Sequence, residues 1–470
     1  MGVMVPCEKI LQCAIDNKAD IVGLSGLITP SLDEMCHVAH EMTRRGMQVP
    51  LLIGGATTSK THTAVKIAPK YKNAPTVHVL DASRSVPVCS TLILGKTDNR
   101  YHDFVDELAL DYADIRDEYL ASIRDRKLIS LQEARRHRLQ LDFSHLHSIP
   151  QPAFIGHRDI TNILERQGGF RRLIEFIDWK PFFDVWQLRG KYPNRGYPKL
   201  FNDPDVGPEA KKLHQEALDM LKKICDEKWL ELKGYVGFYK AKSRGDDIDV
   251  MDGNDKKMGT FFGLRQQEAK DMSGGDPEPY LCLSDFISHQ DGDYLGMFAV
   301  TAGLGCADRC RDLEQQQHDD YSAIMLKALA DRLAEAFAEF LHFIVRTDRS
   351  VWGYDADNEK DLDTSRLLRL NYRGIRPAPG YPTQPDHTEK QLLWQLLGQP
   401  NEITLVDDSL AMDPAASVCG LYFAHPKSSY FAAGKLGRDQ LVDYANRKQM
   451  KLELSEQWLR PYLAYDEGEN

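Results

Sequence analysis

The sequence predicts two folds in succession: an α/β segment with a parallel sheet, followed by a larger α+β domain with an antiparallel sheet. Over residues 1–97, short apolar runs alternate with helical patterns, which is typical of parallel strands covered on both faces. After residue 151, strand-like runs are joined by a turn signal, Arg244-Gly245-Asp246-Asp247-Ile248, which favours antiparallel pairing. The 470 residues suffice for two or three domains.

Composition indicates a globular protein whose overall charge is acidic. Hydrophobic residues make up 42% of the chain, and the net charge is −11. This charge argues against a nucleic-acid binder that relies on bulk positive charge, and it suits docking to a partner with a basic face. The nine cysteines are scattered and form no CxxC pattern, so we expect reduced thiols and a cytoplasmic location. No apolar run is long enough to span a membrane.

The first segment, residues 1–97, contains three predicted strands, each followed by a helix. The strands are 21–24, 49–53 and 76–80, and ligands of parallel sheets bind beyond the carboxyl ends of such strands. Those ends, at 25–31, 54–58 and 81–83, are rich in small and hydroxyl residues, which favours a large ligand. Helix N-capping is the alternative, and it accounts for Ser31 and Ser59 better than for Gly54-Gly55.

Two features set the limits of the first segment. A complete flavodoxin-like sheet has about five strands, whereas three are predicted here. The sequence also begins at the start of a helix, with no strand before it. We therefore expect this α/β domain to be incomplete, without its front part. Residues 98–150 are charged, and Pro150 and Pro152 end any helix, so this stretch is interpreted as a charged helical linker. Residues 151–470 then form the second domain.

The second domain is predicted to mix helices with antiparallel strands. Helices are expected at 208–227, 319–346, 388–397, 438–450 and 455–465, and strands at 234–241, 294–302, 418–424 and 430–435. The last two strands are expected to pair with each other. The helix at 319–346 has an apolar stripe, and its acids Glu335 and Glu339 are expected to be solvated. Thr388 is expected to cap its helix, with Gln391 completing a capping box.

One loop combines rigidity with chemistry that suits a small zwitterion. It reads Arg376-Pro377-Ala378-Pro379-Gly380-Tyr381-Pro382, and its three prolines exclude a helix interior and a central strand. Arg376 supplies a permanent planar cation that suits a carboxylate, and Tyr381 supplies a flat face with a polar tip. The alternative interpretation is a proline-rich connector with an incidental arginine.

Asp178 is the second residue of interest, because it lies among the aromatic residues of 174–186. A carboxylate in such surroundings needs a partner to offset its loss of water. The residues alone favour a helix N-cap, and a ligand ammonium group or an arginine are the alternatives.

The first segment contains three long runs: Gly2-Val3-Met4-Val5-Pro6, Gly23-Leu24-Ser25-Gly26-Leu27-Ile28-Thr29-Pro30-Ser31 and Leu51-Leu52-Ile53-Gly54-Gly55-Ala56-Thr57-Thr58-Ser59. Together they resemble the cobalamin-binding domain of cobalamin-dependent methionine synthase. The resemblance implies cobalamin-binding positions at Ser25, Thr29, Ser31, Gly54, Gly55 and Ala82. The family's Asp-x-His-x-x-Gly motif, whose histidine ligates cobalt, is not in this sequence, so no metal ligand is assigned to this chain.

The second domain resembles the reactivation domain of the same family, which binds S-adenosylmethionine. The matching runs are 178–183, 190–193, 327–336, the loop from Arg376 and 425–431. The resemblance implies that Asp178 binds the ammonium end of the ligand and that Arg376 binds its carboxylate. The main chain at Ala378 and the region of Tyr381 face the adenine side, and Tyr430-Phe431 lie nearby, where aromatic rings suit a sulfonium.

The family's chemistry gives the expected function. It transfers a methyl group from methyltetrahydrofolate to homocysteine through methylcobalamin, and it methylates oxidised cob(II)alamin with S-adenosylmethionine while a flavoprotein supplies one electron. That donor is methionine synthase reductase or flavodoxin. We expect residues 151–470 to hold the sulfonium methyl without acid–base catalysis. The alternatives are a non-catalytic module that binds S-adenosylmethionine and the flavoprotein, and a scaffold without activity.

Overall fold

The computed structural model describes residues 1–2, 5–26, 30–94, 100–125, 127–143, 149–270, 278–358 and 372–465. The chain divides into two compact units, Met1–Leu128 and Ile129–Asn470. The segment limits inferred from the sequence, 1–97, 98–150 and 151–470, stay predictions. Among the described residues, no helix has both the length and the apolar character needed to cross a membrane.

The first unit is built on a parallel sheet of three strands in the order β1-β2-β3. These are β1 (Val22–Ser25), β2 (Leu51–Gly54) and β3 (Thr76–His78). The helices are α1 (Cys7–Asp16), α2 (Pro30–Arg44), α3 (Ala82–Leu94) and α4 (Arg100–Asp125), with short helical turns at Lys60–His62, Thr63–Ile67 and Ala68–Lys70. The predicted parallel sheet is therefore confirmed.

Hydrogen bonds and apolar packing join helix α4 to the rest of the first unit, although its sequence is strongly charged. The N–H of His78 donates to the hydroxyl of Tyr112 at 3.0 Å, and Tyr112 is buried. Arg116 Nη1 donates to the carbonyl of Ala64 at 3.1 Å. Phe104 and Leu108 also pack against the apolar cluster of the sheet, so both hydrogen bonds and apolar packing hold the helix in place.

The second unit contains an antiparallel sheet of six strands, with the order β11-β8-β5-β6-β7 and with β4 paired to β5. The strands are β4 (Gly156–Asp159), β5 (Glu231–Arg244), β6 (Asp247–Met251), β7 (Lys257–Phe261), β8 (Asp293–Leu304) and β11 (Ser417–Tyr422), and a separate pair is β9 (Thr404–Leu405) with β10 (Met412–Asp413). The predicted antiparallel domain and the turn between β5 and β6 are confirmed.

The described part of the second unit also contains α-helices. They are α5 (Leu131–Arg136), α6 (Thr161–Arg166), α7 (Gly169–Leu173), α8 (Trp179–Val185), α9 (Gly207–Glu227), α10 (Cys306–Gln316), α11 (Asp320–Thr347), α12 (Glu389–Leu396), α13 (Arg438–Lys448) and α14 (Leu452–Leu459). Helix α11 lies close to the sheet, because a Cβ on Gly234 of β5 would stand 2.6 Å from the Phe337 ring. A glycine in the strand therefore permits the closest approach of the longest helix.

Two local predictions in the second domain are wrong. Strand β11 pairs with β8, and residues 430–435 form no strand. Their main-chain groups form hydrogen bonds with residues 382–383 instead. The carbonyl of Phe431 accepts from Thr383 Oγ1 at 2.6 Å, and the N–H of Ala433 donates to the Pro382 carbonyl at 2.8 Å. Thr388 does not cap helix α12 either, because its hydroxyl donates to Asp386 Oδ1 at 2.7 Å.

A buried cluster of charges joins the start of helix α12 to helix α13. Lys448 Nζ donates to Asp386 Oδ2 at 2.7 Å and also contacts the Glu389 carboxylate, and both acid side chains are 2% exposed. The Tyr444 hydroxyl donates to Asp386 Oδ2 at 2.5 Å. This cluster fixes the residues that directly follow the 376–382 loop.

We expect Lys448→Met to destabilise the second unit by about 3–5 kcal/mol, because the substitution leaves two buried carboxylates without their counter-charge. The free energy of unfolding of the full chain in urea measures this loss. Lys427→Met is the matched control, since Lys427 is exposed, and it should change that free energy by less than about 0.5 kcal/mol. Equal stabilities of the two variants would contradict the role given to the cluster.

Candidate functional site

The 376–382 loop is held on both sides by main-chain hydrogen bonds. The carbonyl of Pro377 accepts from the N–H of Leu421 at 2.8 Å, and the carbonyl of Pro382 accepts from the N–H of Ala433 at 2.8 Å. Gly380 has a φ of 95°, and a Cβ at this position would stand 2.2 Å from the His387 ring. Only glycine satisfies both the left-handed backbone and the close approach of that ring.

Arg376 projects from this loop into a polar recess beside helix α11. Its Nη2 forms an ion pair with Glu339 Oε2, and its Nη1 donates to the Tyr372 hydroxyl and, at 3.3 Å, to His342 Nδ1. The main-chain N–H of Arg376 donates to the Tyr430 hydroxyl at 2.9 Å. Burial by itself would lower the pKa of Arg376, but the adjacent Glu339 carboxylate raises that pKa above its ordinary value.

Glu339 is the main correction to the sequence-based site. It was expected to be solvated, but its side chain is only 8% exposed and compensates the charge of Arg376. The sequence does contain a signal, because Glu339, His342 and Arg346 follow one another at spacings of three and four residues. This spacing places three polar side chains on one face of an otherwise apolar helical stretch. Glu335, one turn earlier, is exposed as expected.

Arg376 and Glu339 each retain an unused hydrogen-bonding atom. Among the described residues, the Nε–H of Arg376 and one Nη2–H have no partner, and Glu339 Oε1 is buried without one. The free Nε–H lies on the Nε–Nη2 edge of the planar guanidinium, and that edge has the shape that suits a carboxylate. An unpartnered carboxylate oxygen beside that edge suits an ammonium group.

Asp178 is exposed and caps helix α8, with its Oδ1 accepting from the N–H of Lys180 at 3.0 Å. The N-cap favoured from the residues is therefore observed. The preceding Phe176 ring packs on Phe340 and Phe343 of helix α11, with centroid separations of 4.8 and 6.5 Å. Asp178 thus follows a segment that packs on the part of α11 that carries Glu339.

The aromatic candidates differ in exposure. Tyr381 is 60% exposed and Tyr430 is 41% exposed, so both present ring surface to solvent. Phe431 is half-buried against the core beneath the sheet. The N–H of Ala378 has no hydrogen-bond partner among the described residues, which leaves a main-chain donor on the loop. The structure joins Arg376, Glu339 and Tyr430 directly, whereas Tyr381 and Asp178 make no hydrogen bond to them.

The cobalamin candidates in the first unit lie where the parallel strands end. Ser25 is the last residue of β1, is exposed, and is in register with Gly54 of β2. Gly54 accepts from the N–H of Gly26 at 2.9 Å, and a Cβ on Gly55 would stand 2.3 Å from the Gly26 carbonyl oxygen. Close packing between neighbouring loops is thus a structural reason for the glycine pair. Thr29 lies outside the described residues.

The chemistry of these residues fits the amide-bearing tail of a cobalamin better than its metal. The exposed Ser25 hydroxyl can donate and accept hydrogen bonds, Ser31 lies in the first turn of α2, and Ala82 begins α3. Hydroxyls and glycine main chain are not typical cobalt ligands. Within the described ranges, no group of three or more metal-binding side chains occurs.

Comparison with known proteins identifies the family of the second unit. A family model described as "Vitamin B12 dependent methionine synthase, activation domain" matches residues 169–449, which is more than half of the chain. The chain belongs to this family. Its activation domain includes Asp178, Arg376 and Tyr430 within the matched residues, and the resemblance to methionine synthase inferred from the sequence is confirmed.

A solved structure is also similar to this chain. It is described as "Crystal Structure of the MetH Reactivation Domain bound to AdoHcy", and it matches with 40% sequence identity and a TM-score of 0.64. The match covers 72% of this chain and 99% of that chain. The chain therefore carries a complete counterpart of that domain, within an enzyme family of methyl transfer and methionine biosynthesis.

We expect Glu339→Gln to destabilise the activation domain by about 3 kcal/mol, because it removes the counter-charge of a largely buried arginine. Glu335→Gln, on the same helix and exposed, is the control and should change stability by less than about 0.5 kcal/mol. Urea unfolding of both variants measures the difference. If Glu339→Gln is as stable as Glu335→Gln, the ion pair is not a structural element of the site.

Proposed function

We propose that the activation domain of this chain binds S-adenosylmethionine at Arg376, for the reductive methylation that reactivates the cobalamin of methionine synthase. One observation carries the proposal: Arg376 and Glu339 form an ion pair through Nη2 and Oε2, while Arg376 Nε–H and Glu339 Oε1 have no partner among the described residues. A cation with a free donor and an anion with a free acceptor complement the two charges of an α-amino acid. The AdoHcy complex of the similar domain supports the same class of ligand.

The roles of the site residues follow from their chemistry. Arg376 binds the ligand carboxylate, and Glu339 and Asp178 supply acceptors for its ammonium group. The Ala378 N–H and the exposed ring of Tyr381 serve the adenine side, and Tyr430 and Phe431 lie beside the bound molecule. Aromatic faces favour the positive sulfonium by cation–π attraction.

The protein's contribution is orientation and not proton transfer. The stiff loop and the buried ion pair hold the amino-acid end of the ligand, so that its sulfonium methyl is presented in one direction. Cobalamin, when bound, supplies the metal-centred chemistry that accepts the methyl group. Ser25, Thr29, Gly54, Gly55 and Ala82 would hold its tail, and Ser31 would belong to the proton network near the metal. We assign no cobalt ligand to this chain.

The electron donor and the location complete the proposal. The reductive step requires one electron, which we assign to a flavoprotein, either methionine synthase reductase or flavodoxin. All nine cysteines are free thiols, which supports a reducing compartment and thus the cytoplasm.

A second candidate is a module that binds S-adenosylmethionine and the flavoprotein without catalysis. The lack of a cobalt-binding side chain among the proposed cobalamin residues favours it. Adding cobalamin to the full chain and recording its visible absorbance after gel filtration separates the two: retained absorbance supports the enzyme, and its loss supports the module.

We expect Asp178→Asn to weaken S-adenosylmethionine binding about tenfold, because the substitution removes the charge that faces the ligand ammonium. Asparagine caps a helix as well as aspartate, so the melting temperature should not change. Isothermal titration of the full chain measures the Kd. An unchanged Kd would exclude Asp178 from the site, and the absence of wild-type binding by a folded chain would refute the proposed function.

Arg376→Ala should weaken binding about a hundredfold, since a charge-assisted bidentate contact with the ligand carboxylate is lost. Arg166→Ala, at the exposed end of α6, is the control and should bind with the wild-type Kd. Circular dichroism establishes that both variants are folded. Equal affinities of the two variants would refute the carboxylate role of Arg376.

A further inference from the structure

His342 lies directly behind Arg376 and makes two polar contacts there. Its side chain is fully buried on helix α11, one turn after Glu339. Nδ1 lies 3.3 Å from Arg376 Nη1, and Nε2 lies 2.9 Å from the Tyr354 hydroxyl. The ring therefore links the guanidinium to a second buried group.

The chemistry of these partners determines which nitrogen of the His342 ring carries the proton. A guanidinium nitrogen can only donate, so Nδ1 must be the unprotonated acceptor. A neutral ring then carries its proton on Nε2, which donates to the Tyr354 hydroxyl. Protonation of Nδ1 would remove the acceptor and place a second cation beside Arg376.

The surroundings hold this neutral ring in one orientation. Tyr422 stacks on its face with centroids 5.0 Å apart, and Tyr372 meets it edge-on at 5.2 Å. Two cations, Arg346 and Arg376, and one acid, Glu339, face the same recess. Burial, followed by the charges of Arg346 and Arg376, lowers the pKa of His342 well below its ordinary value.

We propose that His342 is a positioning residue for the ligand carboxylate: its Nδ1 fixes the Arg376 guanidinium so that the Nε–Nη2 edge faces the ligand. This inference rests on the proposed function. Arg376 has several rotatable bonds, and its guanidinium contacts Glu339 through Nη2 and the Tyr372 hydroxyl through Nη1. The further contact of Nη1 with His342 restricts rotation of that plane, which lowers the cost of ordering the arginine when a ligand binds.

Two amide variants separate positioning from packing. In His342→Asn the side-chain oxygen can stand near the place of Nδ1 and accept from Arg376, whereas His342→Gln places its amide near Nε2 and leaves Arg376 without that acceptor. Each variant of the full chain is titrated with S-adenosylmethionine and with decarboxylated S-adenosylmethionine. The second ligand lacks the group that Arg376 binds.

We expect His342→Gln to weaken S-adenosylmethionine binding about tenfold and His342→Asn to weaken it less than about threefold. Affinity for the decarboxylated ligand should be the same in all three proteins. Equal Kd values of wild type and His342→Gln for S-adenosylmethionine overturn the inference, and so does an equal loss for both ligands, which would indicate packing alone. Failure of the wild type to bind S-adenosylmethionine overturns the proposed function itself.

If His342→Gln does not fold, Tyr354→Phe provides the second test. It keeps the ring volume but removes the acceptor for Nε2–H, so the tautomer that accepts from Arg376 loses one of the two contacts that favour it. We expect a loss of about threefold in affinity for S-adenosylmethionine and none for the decarboxylated ligand. An unchanged affinity for S-adenosylmethionine in this folded variant overturns the inference.

Discussion

The structure of the activation domain depends on compensating one charge, that of Arg376. Removing a guanidinium from water costs several kcal/mol unless counter-charge and hydrogen bonds replace the lost solvation. Here Glu339 supplies the counter-charge, Tyr372 and His342 supply acceptors, and Tyr430 binds the main chain of the same residue. These partners come from helix α11, from the residues just before the 376–382 loop and from the segment after β11, so the position of the arginine requires parts of the chain that are distant in sequence to be assembled.

This arrangement also explains how a charged site can be ready for a ligand. The ion pair satisfies Arg376 when no ligand is bound, yet it uses only one nitrogen of the guanidinium and one oxygen of Glu339. A bound α-amino acid would add a carboxylate to one side of the pair and an ammonium to the other. Little rearrangement is then needed, and the entropic cost of ordering long side chains is met during folding and not during binding.

Part of this could be predicted from the sequence, because some signals are local. Alternating and continuous apolar runs gave the two sheets, proline and glycine marked the 376–382 loop, and Asp178 was recognised as a helix cap. Glu339 was expected to be solvated, since the spacing of Glu339, His342 and Arg346 marks a polar face of the helix but does not identify a partner thirty-seven residues away. Residues 430–435 have a strand-like sequence but hydrogen-bond to the segment at 382–383 instead. A glycine is needed at position 55 because Gly26 lies so close to it. Both features depend on tertiary contacts.

A crystal structure of the full chain with S-adenosylhomocysteine tests the central claim most directly. The account predicts that the ligand carboxylate lies on the Nε–Nη2 edge of Arg376 while the ion pair with Glu339 remains, and that the ammonium group lies within hydrogen-bond distance of Glu339 or Asp178. A ligand whose amino-acid end points away from Arg376 would contradict it.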